Sequence, residues 1–172
     1  LIYSTFSNSK EPVVNITGLK HPNIENFVKN DILLDNTNNL IITGPNAGGK
    51  STFIKSIAIN GCPPELMGLG PIGASLKALK RAELDINDID IIELNEAFAS
   101  QSLACIQELK INPDKVNLEG GAIAIGHPLG ATGARITAKA AYLMNKHNKQ
   151  YALATQCIGL GQGIATVLEK VE

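Results

Sequence analysis

The apolar positions of the chain change several times between strand-like and helix-like spacing. Short apolar runs between polar turn residues predict strands at residues 12–19, 32–34, 40–43, 89–94, 151–156 and 164–168. Apolar residues that recur every three or four positions predict helices after Lys50 (Ser51, Phe53, Ile54, Ile57, Ala58) and at residues 74–82, 97–109 and about 134–145. Glycine-rich stretches at 68–73, 120–133 and 159–163 predict the connecting loops and turns. Helices and strands that follow one another in this way predict an α/β protein.

The residue composition changes abruptly near Asn60 and Gly61. Residues 1–60 contain ten Asn and two Ala, whereas residues 61–172 contain six Asn and sixteen Ala. We therefore expect two units, residues 1–60 and residues 61–172, and the join itself allows a chimeric or mis-assembled reading frame without its own function. Because the chain begins at Leu1 rather than Met, we expect its natural start to lie upstream.

Charge and cysteine content exclude several classes of protein. The net charge is −1, and no cluster of Lys and Arg indicates a nucleic-acid surface. Three scattered cysteines are too few for a disulfide framework or a zinc site, which favours a reducing compartment, the cytoplasm or an organelle. No apolar run reaches the roughly 20 residues of a membrane span.

A glycine-rich pattern of the form G-x-x-x-x-G-K-[ST] begins at Gly44 and follows the apolar run 40–43. Its predicted nucleotide-binding residues are Gly44, Pro45, Asn46, Ala47, Gly48, Gly49, Lys50, Ser51 and Thr52. Between a strand and a helix, such a loop wraps backbone N–H groups around a phosphate, Lys50 adds a full positive charge, and Ser51 holds Mg²⁺.

The sequence around this loop resembles the ATPase domain of the MutS mismatch-repair family over roughly residues 2–60. The similar stretches are His21-Pro22, residues 27–31 and residues 40–53. The resemblance implies ATP and Mg²⁺ binding and, indirectly, a link to DNA. Hydrolysis needs a second acidic residue at a neighbouring strand end. Glu93 is the candidate, but it adjoins a motif that is better explained otherwise, so we expect weak nucleotide binding without turnover.

Four ordered motifs follow Gly61. They are Met67-Gly68-Leu69-Gly70-Pro71, Asn95-Glu96-Ala97-Phe98, the glycine-rich stretch 120–133 around His127, and Cys157-Ile158-Gly159-Leu160-Gly161-Gln162-Gly163. A lone His in a Gly-Pro loop or a lone Cys at a strand end is usually structural. Together, however, the motifs resemble the C-terminal half of the thiolases, the acetyl-CoA C-acetyltransferase family. This resemblance implies a mixed sheet with covering helices, joined here to an incomplete strand–loop–helix phosphate-binding segment.

The resemblance also implies roles for particular residues in chemistry on coenzyme A thioesters. His127 would activate a nucleophilic cysteine and help bind the thioester oxygen, and Asn95 would orient a water that completes this oxyanion hole. Cys157 would be the acid and base at the α-carbon, and the backbone N–H of Gly159 would belong to a second oxyanion hole. Cysteine suits this role because a nearby histidine or helix end can lower its pKa from about 8.5. Glu96 is expected to be a structural partner.

Two departures from the thiolase pattern affect the expected activity. Leu160 stands where the family often has a third consecutive glycine. The nucleophilic cysteine belongs to the other half of a thiolase, and neither Cys62, in a connector, nor Cys105, in an apolar helix, matches its motif. We therefore predict an acyl-CoA acyltransferase unit that is inactive alone and that forms a homo-oligomer if it is part of a complete thiolase. The alternative is an ATP-binding fragment.

Overall fold

A computed structural model describes residues 3–6, 14–19, 30–34, 41–42 and 51–171 of the chain. The first three of these segments form an antiparallel sheet in the order β1 (Tyr3–Phe6), β2 (Val14–Leu19) and β3 (Asn30–Leu34). Tyr3 lies opposite Thr17, and Val14 lies opposite Leu34. The strands predicted at residues 12–19 and 32–34 are therefore confirmed, with bounds that differ by two residues.

A five-stranded mixed sheet with covering helices makes up the rest of the described fold. Its elements are β4 (Ile41–Ile42), β5 (Ser51–Gly61), α1 (Gly70–Ala82), β6 (Ile91–Leu94), α2 (Ala99–Glu108), α3 (Ala122–Ile125), α4 (Thr132–Lys146), β7 (Tyr151–Ile158) and β8 (Gln162–Val171). The strand order is β4-β5-β8-β7-β6. The β6–β7 pair is parallel, and the three other pairs are antiparallel. The predicted α/β fold with a mixed sheet is confirmed.

The helix predicted after Lys50 is wrong, because these residues form strand β5. The strand pairs with β8 from Ser51, opposite Val171, to Gly61, opposite Gln162. Its β-branched residues Thr52, Ile54, Ile57 and Ile59 favour a strand over a helix. The helical spacing was misleading because Ile54 and Ala58 lie four residues apart and are both buried. The register shift between Ile54 and Ser56 places Ile54 on one face of the sheet and Ala58 on the other.

This correction removes the structural context of the predicted phosphate loop. Ser51 and Thr52 lie in β5, so no helix N-terminus follows Lys50 to provide aligned N–H groups for a phosphate or to place Ser51 beside Mg²⁺. The predicted nucleotide-binding residues 44–50 lie outside the described residues. Strand β5 ends at Gly61, where the composition changes, and it belongs to the same sheet as the strands that follow.

Helices α1 and α2 cover one face of the five-stranded sheet with an apolar core. Helix α1 contacts β5, β7 and β8. The buried residues of this core are Ala58, Ala74, Ala78, Leu79, Ala82, Ile89, Ile92, Leu94, Cys105, Leu109, Ile111, Leu153, Ala165 and Val167. Helix α1 begins at Gly70, earlier than predicted. Gly70 packs directly on Gln162 and Gly163 of β8, where any Cβ would overlap the strand backbone.

Helix α4 covers the opposite face and forms a second, smaller core. Its buried residues are Ile54, Ile91, Ile136, Ala140, Leu143, Met144, Ala152, Ala154 and Leu168. Alternation along β7 is visible here, because Ala152 and Ala154 belong to this core and Leu153 belongs to the other. Helix α4 contacts β6, β7 and β8, so its N-terminal turn lies near the ends of the strands that carry the candidate site residues.

Candidate active site

The parallel pairing of β6 and β7 brings the carboxyl ends of both strands to the same edge of the sheet. Leu94 lies opposite Thr155, and the N–H of Asn95 donates to the carbonyl of Thr155 at 2.9 Å. The Asn95 side chain is 1% exposed, yet neither its amide nitrogen nor its amide oxygen has a partner among the described residues. Buried amides are normally hydrogen-bonded, so Asn95 is prepared to bind a water or a ligand atom.

Cys157 lies near the end of β7, two residues beyond Thr155, and is half-buried. Burial raises the pKa of its thiol above the ordinary value, the nearby Cys62 raises it further, and a backbone hydrogen bond opposes the increase. The expected lowering of this pKa is therefore not found in the described chain. A raised pKa favours the protonated form of the Cys157 thiol.

The turn from Gly159 to Gly161 joins β7 to β8 beside Cys157. Gly159 is exposed, and no heavy atom lies within 4 Å of the position that a Cβ would take there. Leu160 has a φ of 67° and is 88% exposed, so the turn accepts a side chain in a left-handed conformation that favours glycine. The backbone N–H of Gly159 donates to no backbone carbonyl among the described residues.

His127 lies in the short loop between α3 and α4. The predicted glycine-rich loop 120–133 contains α3, which ends at Gly126 with a φ of 89°. The His127 side chain is exposed, and its Nδ1 lies 2.6 Å from Oγ1 of Thr132, the first residue of α4. Thr132 was not among the predicted site residues.

Glu96 fixes the start of this loop to the end of β6. Its carboxylate accepts hydrogen bonds from the N–H of Ile123 and from Nδ2 of Asn117, both at 2.9 Å. A Cβ at Gly121 would overlap the Glu96 carboxylate, so the loop approaches as closely as a glycine allows. The prediction that Glu96 is a structural partner is confirmed.

Asn117 is a second anchor that the sequence did not reveal. Its side chain accepts from the N–H of Leu94 at 3.0 Å and donates to the carbonyl of Leu94 at 2.9 Å. These bonds hold the end of β6, from which Asn95 and Glu96 follow. Lys139 of α4 donates to the carbonyl of Gly120 at 2.6 Å, so the loop is also tied to the helix.

The other two thiols have structural surroundings. Cys105 is fully buried in α2, where its sulfur contacts the Gln101 side chain and the carbonyl of Gly68, each at 3.5 Å. Burial raises the pKa of the Cys105 thiol, the Gln101 contact opposes the increase, and the nearby Cys157 adds to it. Cys62 is half-buried and its sulfur lies 3.6 Å from the carbonyl of Leu66. The prediction that Cys105 is a packing residue is confirmed.

Glu93 lies under α4, and its position argues against the magnesium role considered for it. Its carboxylate is 1% exposed and lies 3.6 Å from Nζ of Lys139. Burial raises the pKa of Glu93 to about 7, although Lys139 and, more weakly, Arg135 oppose the increase. Within residues 51–171 and the shorter described segments, no group of three or more His, Cys, Asp or Glu side chains could hold a metal ion.

None of the helices in the described part of the chain has the length and apolar character needed to cross a membrane.

Comparison with known proteins assigns most of the described fold. The family model for the thiolase C-terminal domain matches residues 50–170. A 3-ketoacyl-CoA thiolase from Vibrio vulnificus (strain YJ016) is 59% identical over 120 residues, which are 68% of this chain and 31% of that protein. A 3-ketoacyl-CoA thiolase from Photorhabdus laumondii is 57% identical over 122 residues.

Solved structures agree with this result. The crystal structure of human mitochondrial 3-ketoacyl-CoA thiolase superposes with a TM-score of 0.69 at 44% identity, over 70% of this chain and 31% of that one. A structure of the same human enzyme in complex with CoA gives the same values. This chain therefore spans about a third of the length of the thiolases that it matches.

The similarity starts about eleven residues earlier than the sequence motifs indicated, at residue 50 rather than residue 61, and it includes the whole of β5. These comparisons give no support to the predicted MutS-type fragment or to a phosphate loop. Because the family model covers most of its length, the chain belongs to the thiolase family, through a thiolase C-terminal domain.

Proposed function

We propose that residues 51–171 supply the acid–base half of a thiolase active site that acts on 3-ketoacyl-CoA or acetyl-CoA thioesters. One observation carries the proposal, namely that Asn95, Cys157 and the anchored loop of His127 belong to the same edge of the sheet. The parallel pairing of β6 and β7 fixes the first two residues, and the bonds of Glu96 fix the loop. The printed activity of the relatives supplies the substrate class.

The roles of the four residues follow from their surroundings. His127 accepts the proton of a nucleophilic thiol and then donates a hydrogen bond to the thioester oxygen. The unpartnered amide of Asn95 holds a water that completes this oxyanion hole. Cys157 donates a proton to the α-carbon, which agrees with a pKa raised by burial, and the N–H of Gly159 stabilises the second oxyanion.

The 172-residue chain alone is proposed to have no thiolase turnover. Acyl transfer needs a nucleophilic thiolate beside the imidazole. Of its three cysteines, Cys157 is assigned to proton transfer, Cys105 is enclosed in the core, and Cys62 lies against the carbonyl of Leu66. A thiolysis assay of the purified chain checks this. Turnover that His127→Ala or Cys157→Ala abolishes would contradict it.

A chimera tests the proposed site directly. Residues 51–170 replace the matching segment of the Vibrio vulnificus thiolase, which is 59% identical over this region. We expect the chimera to catalyse thiolysis and expect His127→Asn or Cys157→Ala to lower the rate by about 10²- to 10⁴-fold. Leu129→Ala, a change at an exposed residue of the same loop, is the matched control. A folded chimera that is inactive, or whose activity survives both changes, would contradict the proposal.

We also propose that the thiolase-type unit begins near residue 50. Strand β5 ends at Gly61 and pairs with β8 along its length, so it belongs to the sheet of the thiolase-type unit. This pairing supports a boundary before Ser51 rather than at residues 60 and 61. The homo-oligomer, the cytoplasmic or organellar compartment and nucleotide binding by residues 44–52 stay predictions.

A further inference from the structure

Thr132 lies at a point where two hydrogen bonds meet beside the candidate base. It is the first residue of α4 and is fully buried. Its Oγ1 lies 2.6 Å from Nδ1 of His127 and 3.0 Å from the carbonyl oxygen of Pro128. The same carbonyl accepts the N–H groups of Ala131 and Thr132, both at 2.9 Å, so the turn that carries the hydroxyl is closed.

The proton count at this hydroxyl assigns the histidine tautomer. A threonine hydroxyl has one proton to donate, and a carbonyl oxygen can only accept. The contact with Pro128 therefore uses the hydroxyl proton, and the contact with His127 requires the ring to donate Nδ1–H to Oγ1. This assignment follows from the hydrogen-bond network. The opposite tautomer would have to take the hydroxyl proton away from Pro128.

We propose that Thr132 is a positioning residue that holds neutral His127 as its Nδ1–H tautomer and leaves Nε2 as the basic nitrogen. The ring of His127 is exposed, so its tautomer would otherwise be set by solvent. A fully buried hydroxyl at the start of a fifteen-residue helix provides a fixed acceptor for Nδ1–H.

The catalytic consequence rests on the proposed function. A proton passes from the sulfur of the nucleophilic cysteine to Nε2, leaving a thiolate and an imidazolium. The positive ring keeps its Nδ1–H bond to Thr132, so the ring need not rotate when its charge changes. If Nδ1 were the basic nitrogen instead, it would face Thr132 and not the substrate.

Nitrogen NMR of the imidazole rings in the full 172-residue chain tests the tautomer. Long-range ¹H–¹⁵N correlation spectra distinguish a protonated ring nitrogen from an unprotonated one, and His127→Gln assigns the signals among the three histidines. At a pH where the ring is neutral, we expect Nε2 of His127 to have the shift of an unprotonated nitrogen. Protonated Nε2 in the unsubstituted chain would overturn the proposal without any change at Thr132.

Substitutions at Thr132 test the cause. Thr132→Val keeps the shape of the side chain and removes the acceptor, so the unprotonated signal is expected to move to Nδ1, because free imidazole favours Nε2–H. Thr132→Ser should restore the original pattern. Thr137→Val is the matched control, since Thr137 of the same helix also donates to the carbonyl four residues earlier, that of Gly133 at 2.8 Å, but has no histidine contact. An unchanged Nε2 signal in folded Thr132→Val would contradict the proposal.

The thiolase chimera separates this inference from the proposed function. In an active chimera, Thr132→Val should lower kcat at neutral pH by at least roughly tenfold, because much of the histidine then has its proton on the wrong nitrogen. Thr132→Ser should recover most of that loss. An inactive chimera with the Nδ1–H tautomer would count against the proposed function alone, whereas an active chimera with the Nε2–H tautomer would count against Thr132 alone.

Discussion

The two faces of the five-stranded sheet are built differently. The face under α1 and α2 is an apolar core in which Leu153, Ile92 and Val167 are almost completely buried. The face under α4 has a smaller apolar core and, beside it, an α4 polar cluster of Glu93, Arg135, Lys139 and Gln156. Three of these four, namely Glu93, Arg135 and Gln156, have buried polar atoms without a hydrogen-bond partner among the described residues.

The two faces therefore contribute differently to the free energy of folding of the domain. Unpaired buried polar atoms and a buried carboxylate each cost free energy of folding. Most of them occur on the face from which α4 presents Thr132, next to the strand ends that carry Asn95 and Cys157. On the face under α1, the described residues have one such atom, Oγ of Ser75. The apolar core under α1 and α2 therefore offsets the free-energy cost of the polar groups that are buried under α4.

The largest expected effect is on the apolar face. Leu153→Ala removes a fully buried side chain from the centre of the α1–α2 core and should lower the free energy of unfolding by about 2–5 kcal/mol. Urea denaturation followed by circular dichroism measures the change. Ile59→Ala, at an exposed position on β5, is the control and should cost much less. Equal losses in the two variants would show that the first core is not packed as described.

An opposite effect is expected in the α4 polar cluster. Since burial raises the pKa of Glu93 from 4.5 to about 7, the folded state binds this proton more tightly than the unfolded state does. The stability from this proton is complete below about pH 4.5 and is lost as the pH rises through about 7. Glu93→Gln should therefore raise the free energy of unfolding at pH 8.5, by up to about 3 kcal/mol at 1.4 kcal/mol per pKa unit.

The same variant should gain almost nothing at pH 4.5, where the native carboxyl is already neutral. Denaturation at the two pH values provides the internal control. A gain that does not depend on pH would show that Glu93 is not ionised within the fold. A loss at pH 8.5 would show that the ion pair with Lys139, at 3.6 Å, outweighs the cost of burial.

A smaller effect is expected at the turn beside Cys157. Leu160 has a φ of 67° and is 88% exposed. Its backbone is therefore strained, and its side chain makes few packing contacts that a substitution would remove. Leu160→Gly should raise the free energy of unfolding by about 1 kcal/mol, measured by thermal denaturation. Leu129→Gly, at an 86% exposed leucine that is not among the positive-φ residues, should give no gain. Equal effects in both variants would contradict the strain.

The smallest expected effect concerns nucleotide. Because β5 replaces the helix that a phosphate loop requires, Lys50→Ala should leave the binding of a labelled ATP analogue unchanged. Fluorescence titration of both proteins measures this. Saturable binding that depends on Lys50 would restore the nucleotide-binding hypothesis and would call for a different reading of residues 44–52.

The predicted helices and strands were most accurate where the apolar residues followed a single spacing, either that of a strand or that of a helix. The alternation in β7 and the spacing in α4 gave strands and helices close to their observed bounds. Strand β5 was missed because Ile54 and Ala58 are four residues apart, as on one side of a helix, whereas the register shift places them in the cores on opposite faces of the sheet. Its run of β-branched residues was the available signal, and pairing with β8 more than a hundred residues away decided the outcome.

The candidate residues of the site came from the sequence, but most of their supports did not. The motifs that resemble the thiolases named His127, Asn95 and Cys157, and their roles stay predictions. The contacts of Thr132 and Asn117 depend on how a turn closes and on which strand end lies next to the loop, and a linear pattern carries neither. The raised pKa of Cys157 likewise reflects burial between elements that are distant in sequence.

Strand β5 joins β8 by pairing Ser51 with Val171. During synthesis, β5 therefore stays unpaired on this edge until β8 has also been synthesised. Contacts so distant along the chain slow folding and leave apolar strand edges uncovered meanwhile. Chaperones that bind nascent chains have their longest opportunity at this domain's first strand.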